Sequence, residues 1–118
     1  MTNRCLIVDD STRFLEVARR VLEGDGLTVV GVATTIGEAL DLAGSLRPDV
    51  VLVDIDLGAE SGFELARRLQ DQPGAADTQL ILISSHDPED FAELIAASPA
   101  VGFVAKSELS GRAILELL

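Results

Sequence analysis

The chain has 118 residues, 47% of them hydrophobic, enough for one unit spanning residues 1–118 with its own core and no disulfide or structural metal. A formal net charge of −11 sets it against nucleic-acid phosphates, and with no basic cluster beyond Arg19-Arg20 and Arg67-Arg68 it does not read nucleic acid directly. A start without a signal-peptide pattern, no apolar run near the roughly 18 residues of a membrane span and a lone Cys5 point to a cytoplasmic protein, free of membrane, in a reducing compartment.

Only 3% of the residues are aromatic, so the core has to be built from Val, Ile, Leu and Ala. Apolar runs at 4–8, 27–33, 50–53, 80–83 and 101–105 read as strands. Their apolarity is nearly continuous instead of alternating, the mark of strands buried on both faces in a parallel sheet. Amphipathic stretches lie between them. Phe14, Val17, Ala18, Val21 and Leu22 form a first stripe, and Gly24 and Gly26 close that helix. Ile36, Leu40 and Ala43 form a second, with Thr35 and Glu38 at capping-box spacing. Phe63, Leu65, Ala66 and Leu69 form a third, with Ser61 and Glu64 at the same spacing. Phe91, Leu94, Ile95 and Ala97 form a fourth behind Asp87-Pro88-Glu89-Asp90, an N-cap with proline at the first helical position. Pro73-Gly74 and Ser98-Pro99 mark loops or helix ends, and 110–118 is a last short helix. Five strands alternating with five helices predict an α/β fold, a flavodoxin-like (βα)5 doubly wound sandwich with a parallel sheet of order 2-1-3-4-5. In that order the ligand crevice lies at the carboxyl ends of the first and third strands.

That rule makes a demand on the residues after each run. The first strand ends in Asp9-Asp10, the third in Asp54, the fourth in Ser84-Ser85 and the fifth in Lys106. A polar residue at one strand end is an ordinary cap; four at one edge of one sheet are a site. Strands sit about 4.8 Å apart, so Ser84 is one strand from Asp54 and Lys106 two strands, or about 10 Å between backbones, within reach of a lysine stem. Lys106 is also the only lysine, beside eight arginines. A general preference for arginine accounts for the eight, whereas a retained lysine marks a place where a compact ammonium is needed. Three carboxylates in one crevice repel unless a cation joins them, and hard oxygen donors point to Mg²⁺. Asp54 can then act as a nucleophile on phosphorus, with Lys106 and the Ser84 hydroxyl on the phosphoryl oxygens.

The segments Leu6-Ile7-Val8-Asp9-Asp10, Val51-Leu52-Val53-Asp54, Leu82-Ile83-Ser84-Ser85 and Gly102-Phe103-Val104-Ala105-Lys106 resemble, in order and spacing, the receiver domain of bacterial response regulators. The resemblance covers essentially the whole chain. It implies a two-component phosphorelay switch in which Asp54 is the phosphoacceptor, Asp9 and Asp10 hold Mg²⁺ with Asp54, and the backbone carbonyl of Asp56 completes the protein ligands. Ser84 matches the switch hydroxyl, Phe103 the switch aromatic, Lys106 the phosphoryl-binding lysine, and Gly62 the glycine after the phosphorylation loop. Asp56 and His86 fall at variable positions that tune how long the phosphoryl group survives. The implied partners are a sensor histidine kinase or phosphotransfer protein, and an output partner or effector domain. The implied docking face, shared with a homodimer, is the fourth helix, fifth strand and fifth helix. Three positions depart from the pattern. Gly58 stands where proline is frequent, which predicts a looser loop. Ser107 replaces the proline after the lysine, which predicts a trans bond. Ser85 replaces a smaller residue.

By itself His86 reads first as a solvated loop histidine, Cys5 as a small buried hydrophobe and Phe103 as core. Two other functions compete. Asp54-Ile55-Asp56 also fits the nucleophile motif of haloacid-dehalogenase-like phosphatases, but only 64 residues follow Asp54 and Asp9-Asp10 would be left without a role. A docking module that works without phosphorylation usually lacks one of the acid, hydroxyl or lysine positions, and this chain has them all. The receiver reading makes the chain a phosphoacceptor that assists its own phosphorylation and dephosphorylation, not a turnover enzyme.

Overall fold

In the computed structural model, which describes residues 3–118, five parallel strands form the sheet: β1 (Arg4–Val8), β2 (Thr28–Ala33), β3 (Val50–Asp54), β4 (Gln79–Ser84) and β5 (Gly102–Ala105). Met1 and Thr2 of the expected unit lie outside the described residues. The spatial order is β2-β1-β3-β4-β5, as the alternation of elements predicts. Five helices cover it: α1 (Thr12–Gly24), α2 (Ile36–Leu46), α3 (Gly62–Gln70), α4 (Ala92–Ala97) and α5 (Gly111–Leu117). No helix among the described residues is long and apolar enough to cross a membrane.

Strand alternation divides the core into two layers. Leu6, Val8, Val51, Val53, Leu80 and Leu82 meet Ala39 of α2 and Leu65 and Leu69 of α3 on one face. Cys5, Ile7, Val50, Leu52, Ile81 and Ile83 meet Leu15, Ala18 and Leu22 of α1 and Ile114 of α5 on the other. All four Phe are only half-buried, at the margins of these layers. Burying such aliphatic side chains on both faces is worth about 1.5–3 kcal/mol each, which is why a sheet with so little aromatic content holds.

The structure corrects the inward stripe of two helices. In α1 the buried positions are Leu15, Ala18 and Leu22, while Val17 and Val21 are exposed. The 3.6-residue period allows either apolar flank to face inward, and the strand register decides which. The segment after β4 begins as a tight 3₁₀ turn (Pro88–Phe91), with the Glu89 amide donating to Asp87 Oδ1 at 2.9 Å as expected of the cap. Only six residues of α4 follow, none buried, and Leu94 of the expected stripe faces out.

The caps carry a similar mix. Thr35 Oγ1 accepts the Glu38 amide, while Glu38 reaches back to the Thr34 amide, one residue earlier than a standard capping box. Ser61 Oγ accepts the Phe63 amide, but Glu64 turns to Arg67 and Arg68 and leaves the box half made. The Lys106–Ser107 bond is trans, as predicted.

Candidate functional site

The register of the sheet sets the site. Val8 pairs with Val53, Asp54 with Ile83 and Ser84 with Ala105. The residues that end β1, β3, β4 and β5 therefore leave the sheet at one edge. Asp9 and Asp54 stand side by side there, both buried, with Ser84 beyond them at the end of β4 and also buried.

Each carboxylate is held by its own loop. Asp9 Oδ1 accepts the Ser11 amide at 2.8 Å, and Ser11 Oγ in turn accepts the Phe14 amide at 3.2 Å, so the residue that orients Asp9 also caps α1. Asp54 Oδ1 accepts the Asp56 amide at 3.0 Å. Lys106 opens a short 3₁₀ turn (Lys106–Glu108) after β5 and reaches back across the sheet edge. Its Nζ lies 2.9 Å from Asp54 Oδ2 and 2.6 Å from Asp9 Oδ2. The contact to Asp54 is a formed hydrogen bond; the one to Asp9 is a close ion contact without hydrogen-bond alignment, so Asp9 Oδ2 is buried with no hydrogen bond of its own. Asp10 is exposed at the mouth, and one oxygen from each of Asp9, Asp10 and Asp54 falls within 4.8 Å of the others.

Burial pushes the Asp54 carboxyl above its ordinary value. The Lys106 hydrogen bond and the Asp56 amide pull it back only in part, and the charge of Asp9 adds to the rise. For Lys106, burial alone would lower the pKa, but its hydrogen bond to Asp54, its close contact with Asp9 and the charges of both outweigh it and hold the ammonium charged. One ammonium thus faces a pair of carboxylates, with a third beside them. This set is short of positive charge, has a buried oxygen without a hydrogen-bond donor, and offers only hard oxygen ligands. It fits a small divalent cation such as Mg²⁺.

The segment after Asp54 is a detail the sequence reading missed. Asp56–Leu57 pairs antiparallel with Glu60–Ser61 to form a two-residue ribbon. At its turn Gly58 has φ +73°, whereas Ala59 is not in the left-handed region, the pattern of a type II′ hairpin. Where the sequence predicted a looser loop, the structure has a paired turn. Glycine enters this φ without cost, proline could not, and Asp56 Oδ1 fastens the turn by accepting the Gly58 amide at 3.1 Å. A side chain at Gly58 would also crowd Asp10. Gly62 is constrained more severely, because a Cβ there would run into the carbonyl oxygen of Asp54. The loop's Glu60 reaches α2, where its Oε1 accepts the Ile36 amide at 3.0 Å.

The remaining candidates lie at the rim. Ser84 Oγ accepts the His86 amide at 2.9 Å, which leaves its hydroxyl proton free for another acceptor. His86 is exposed, with Nε2 3.9 Å from Asp56 Oδ2 and its ring 5.9 Å from that of Phe91. Ser85 is exposed, and Phe103 is half-buried against the layer that contains α2 and α3. Phe14, one position of the first helix's apolar stripe, packs at the margin of the core and also has its ring 4.4 Å from Lys106 Nζ.

Comparison with known proteins decides the family. The model of the response regulator receiver domain matches residues 5–117. This chain belongs to the response regulator receiver domains. It is similar to the response regulator GacA of Pseudomonas viridiflava, 31% identical over 87% of this chain and 48% of that protein. A protein-glutamate methylesterase/protein-glutamine glutaminase of Symbiobacterium thermophilum is 37% identical over 87% of this chain and 28% of its own length. The chain thus spans about half, or less, of the curated relatives it matches. Among solved structures, a response regulator protein from Burkholderia pseudomallei with a phosphorylated aspartic acid, calcium ion and citrate superposes with a TM-score of 0.83. It is 28% identical, over 98% of this chain and 66% of that one. The function this membership carries is that of a receiver domain of two-component response regulators.

Proposed function

We propose that Asp54 is the phosphoacceptor of this receiver, that Asp9, Asp10, Asp54 and the backbone carbonyl of Asp56 hold Mg²⁺, and that the unit 1–118 acts as a switch, not as a turnover enzyme. The observation that carries this reading is the buried Asp54 carboxylate, hydrogen-bonded by the Asp56 amide on one oxygen and by the Lys106 ammonium on the other. The similar Burkholderia protein, with its phosphorylated aspartic acid and calcium ion, supports it.

In the reaction an Asp54 carboxylate oxygen attacks phosphorus and forms the new P–O bond. The bond to the donor breaks, P–N for a phosphohistidine or P–O for acetyl phosphate, and the leaving group departs with the electron pair. Lys106 exchanges Asp54 Oδ2 for a phosphoryl oxygen, with Asp9 still holding its other side. The Ser84 hydroxyl, free to donate, takes a second phosphoryl oxygen. Mg²⁺ when bound supplies positive charge against the phosphoryl oxygens and orients them. Asp56 and the exposed His86 flank the path of hydrolytic water and set the lifetime of the phosphoryl group. The donor is a sensor histidine kinase or phosphotransfer protein in the cytoplasm, a compartment consistent with the free thiol of Cys5. The response reaches an output partner, an effector domain or a second copy through α4, β5 and α5, a face on which Leu94 and Leu115 are exposed.

The test is intact mass after incubation with acetyl phosphate and Mg²⁺. The wild type should gain one base-labile phosphoryl group and Asp54→Asn none. Equal gain by Asp54→Asn refutes the assignment.

A further inference from the structure

We infer that Phe14 is a positioning residue for the Lys106 ammonium; the inference rests on the phosphoacceptor reading above and extends it to a residue outside the acid, hydroxyl and lysine set. The Lys106 stem leaves the end of β5 and has to place one charge between two carboxylates that it does not neighbour in sequence. Its Nζ is 2.6 Å from Asp9, 2.9 Å from Asp54 and 4.4 Å from the centre of the Phe14 ring. One N–H of the ammonium is hydrogen-bonded to Asp54, and Asp9 lies at ion-contact distance on another side. The Phe14 ring face is a further electron-rich surface beside the same charge, at a distance where cation–π attraction is significant. Leucine or valine at 14 would fill the same space but offer the charge nothing.

The ring is also fixed where it is needed. Phe14 lies in the first turn of α1, its amide is capped by Ser11 Oγ, and the Ser11 amide holds Asp9. One short segment therefore places both a carboxylate and an aromatic face around the same ammonium. The ring also packs against the core layer that includes Leu15 and Ile83. With the ring over it, the Lys106 side chain is only 17% exposed, and low exposure to water strengthens its pull on acceptor oxygens. When a phosphoryl group replaces Asp54 Oδ2 as a partner, the Phe14 contact keeps the ammonium at the site during the exchange.

Lys106 being the sole lysine makes this measurable without perturbing the protein, because lysine labelled with ¹³C at the ε carbon yields a single methylene signal. A ring face over the side-chain end moves that signal upfield. Phe14→Leu should return it toward the position of free lysine, and Phe14→Tyr should keep it upfield. In parallel, uptake of phosphoryl mass from acetyl phosphate should slow roughly three- to tenfold in Phe14→Leu and stay near wild type in Phe14→Tyr. Phe14→Met, apolar and of similar volume, replaces the leucine variant if that one unfolds. A wild-type signal already at the free-lysine position overturns the inference. So does a slower leucine variant whose signal has not moved, which would assign the loss to packing. If the wild type gains no phosphoryl mass, the phosphoacceptor reading fails, and the lysine signal of the unphosphorylated protein still decides the Phe14 contact.

Discussion

At the scale of single residues, the site is a balance of charge around one ammonium. Asp10 is the acid that contributes least to that balance, since it is exposed and receives nothing from Lys106. Asp10→Ala should therefore abolish Mg²⁺-dependent phosphorylation and leave the metal-free protein as stable as wild type or more so, because one repelling charge is gone. Mg²⁺ titration and thermal melting read the two halves separately, and undiminished Mg²⁺ affinity would remove Asp10 from the ligand set. Cys5 offers a cleaner case of linkage. Buried in β1, its thiol is pushed from 9.0 up to about 12 by desolvation. The unfolded chain then loses the proton first as pH rises. The thiol's contribution is complete below about pH 9 and is lost toward pH 12, at about 1.4 kcal/mol per unit. Urea melts at rising alkaline pH should show the wild type losing stability faster than Cys5→Ala; parallel curves would contradict the burial of the thiol.

At the scale of elements, the sheet is deeply buried and one helix is not. β3 is buried from Val50 to Asp54, whereas α4 has six residues and buries none of them. A helix of under two turns that sets only half-buried Ile95 against the core has little to stabilise it, and such segments open most readily. The link from the site to α4 is short. Ser84 holds the His86 amide, and the His86 ring is near Phe91 at the end of the 3₁₀ turn. On the proposed reading, a Ser84 hydroxyl drawn toward a phosphoryl oxygen would move that chain of contacts, and half-buried Phe103 would turn inward behind it. Such a modification shifts the equilibrium only through contacts it makes in one state and not the other, here those of Ser84 and Lys106. Beryllofluoride, a phosphoryl mimic, should thus move amide signals of Phe103 and of the stretch 88–97 as well as those around Asp54. Changes confined to the rim of Asp54 would refute this route.

At the scale of the whole molecule, net charge dominates. A charge of −11 on a chain of this size disfavours the compact state by self-repulsion. The surface pairs Arg19–Glu23 and Arg112–Glu116 are exposed and relieve little of it. Raising ionic strength to physiological values, where screening acts beyond about 8 Å, should raise the melting midpoint by a few degrees, equivalent to about 1 kcal/mol. A midpoint that falls with salt would show that attractive pairs, not repulsion, govern the surface.

The strands, their order and the convergence of Asp9, Asp10, Asp54, Ser84 and Lys106 were legible in the chain itself, for one physical reason. Runs apolar on both faces have to form a parallel sheet, and a parallel sheet delivers every strand end to the same edge. Side-chain partners did not follow from that logic. Whether Val17 or Leu15 faces the core of α1, whether Glu64 completes a cap or pairs with Arg67, and whether Glu60 reaches the α2 amide all depend on where distant segments meet. The type II′ ribbon at Gly58 and the brevity of α4 were likewise outcomes of packing, since local propensity allowed a loose loop and a longer helix. Phe14 is the sharpest instance. Sequence alone marks it as one apolar position in a stripe, and only the approach of Lys106 from the far end of the chain turns its ring into part of the site.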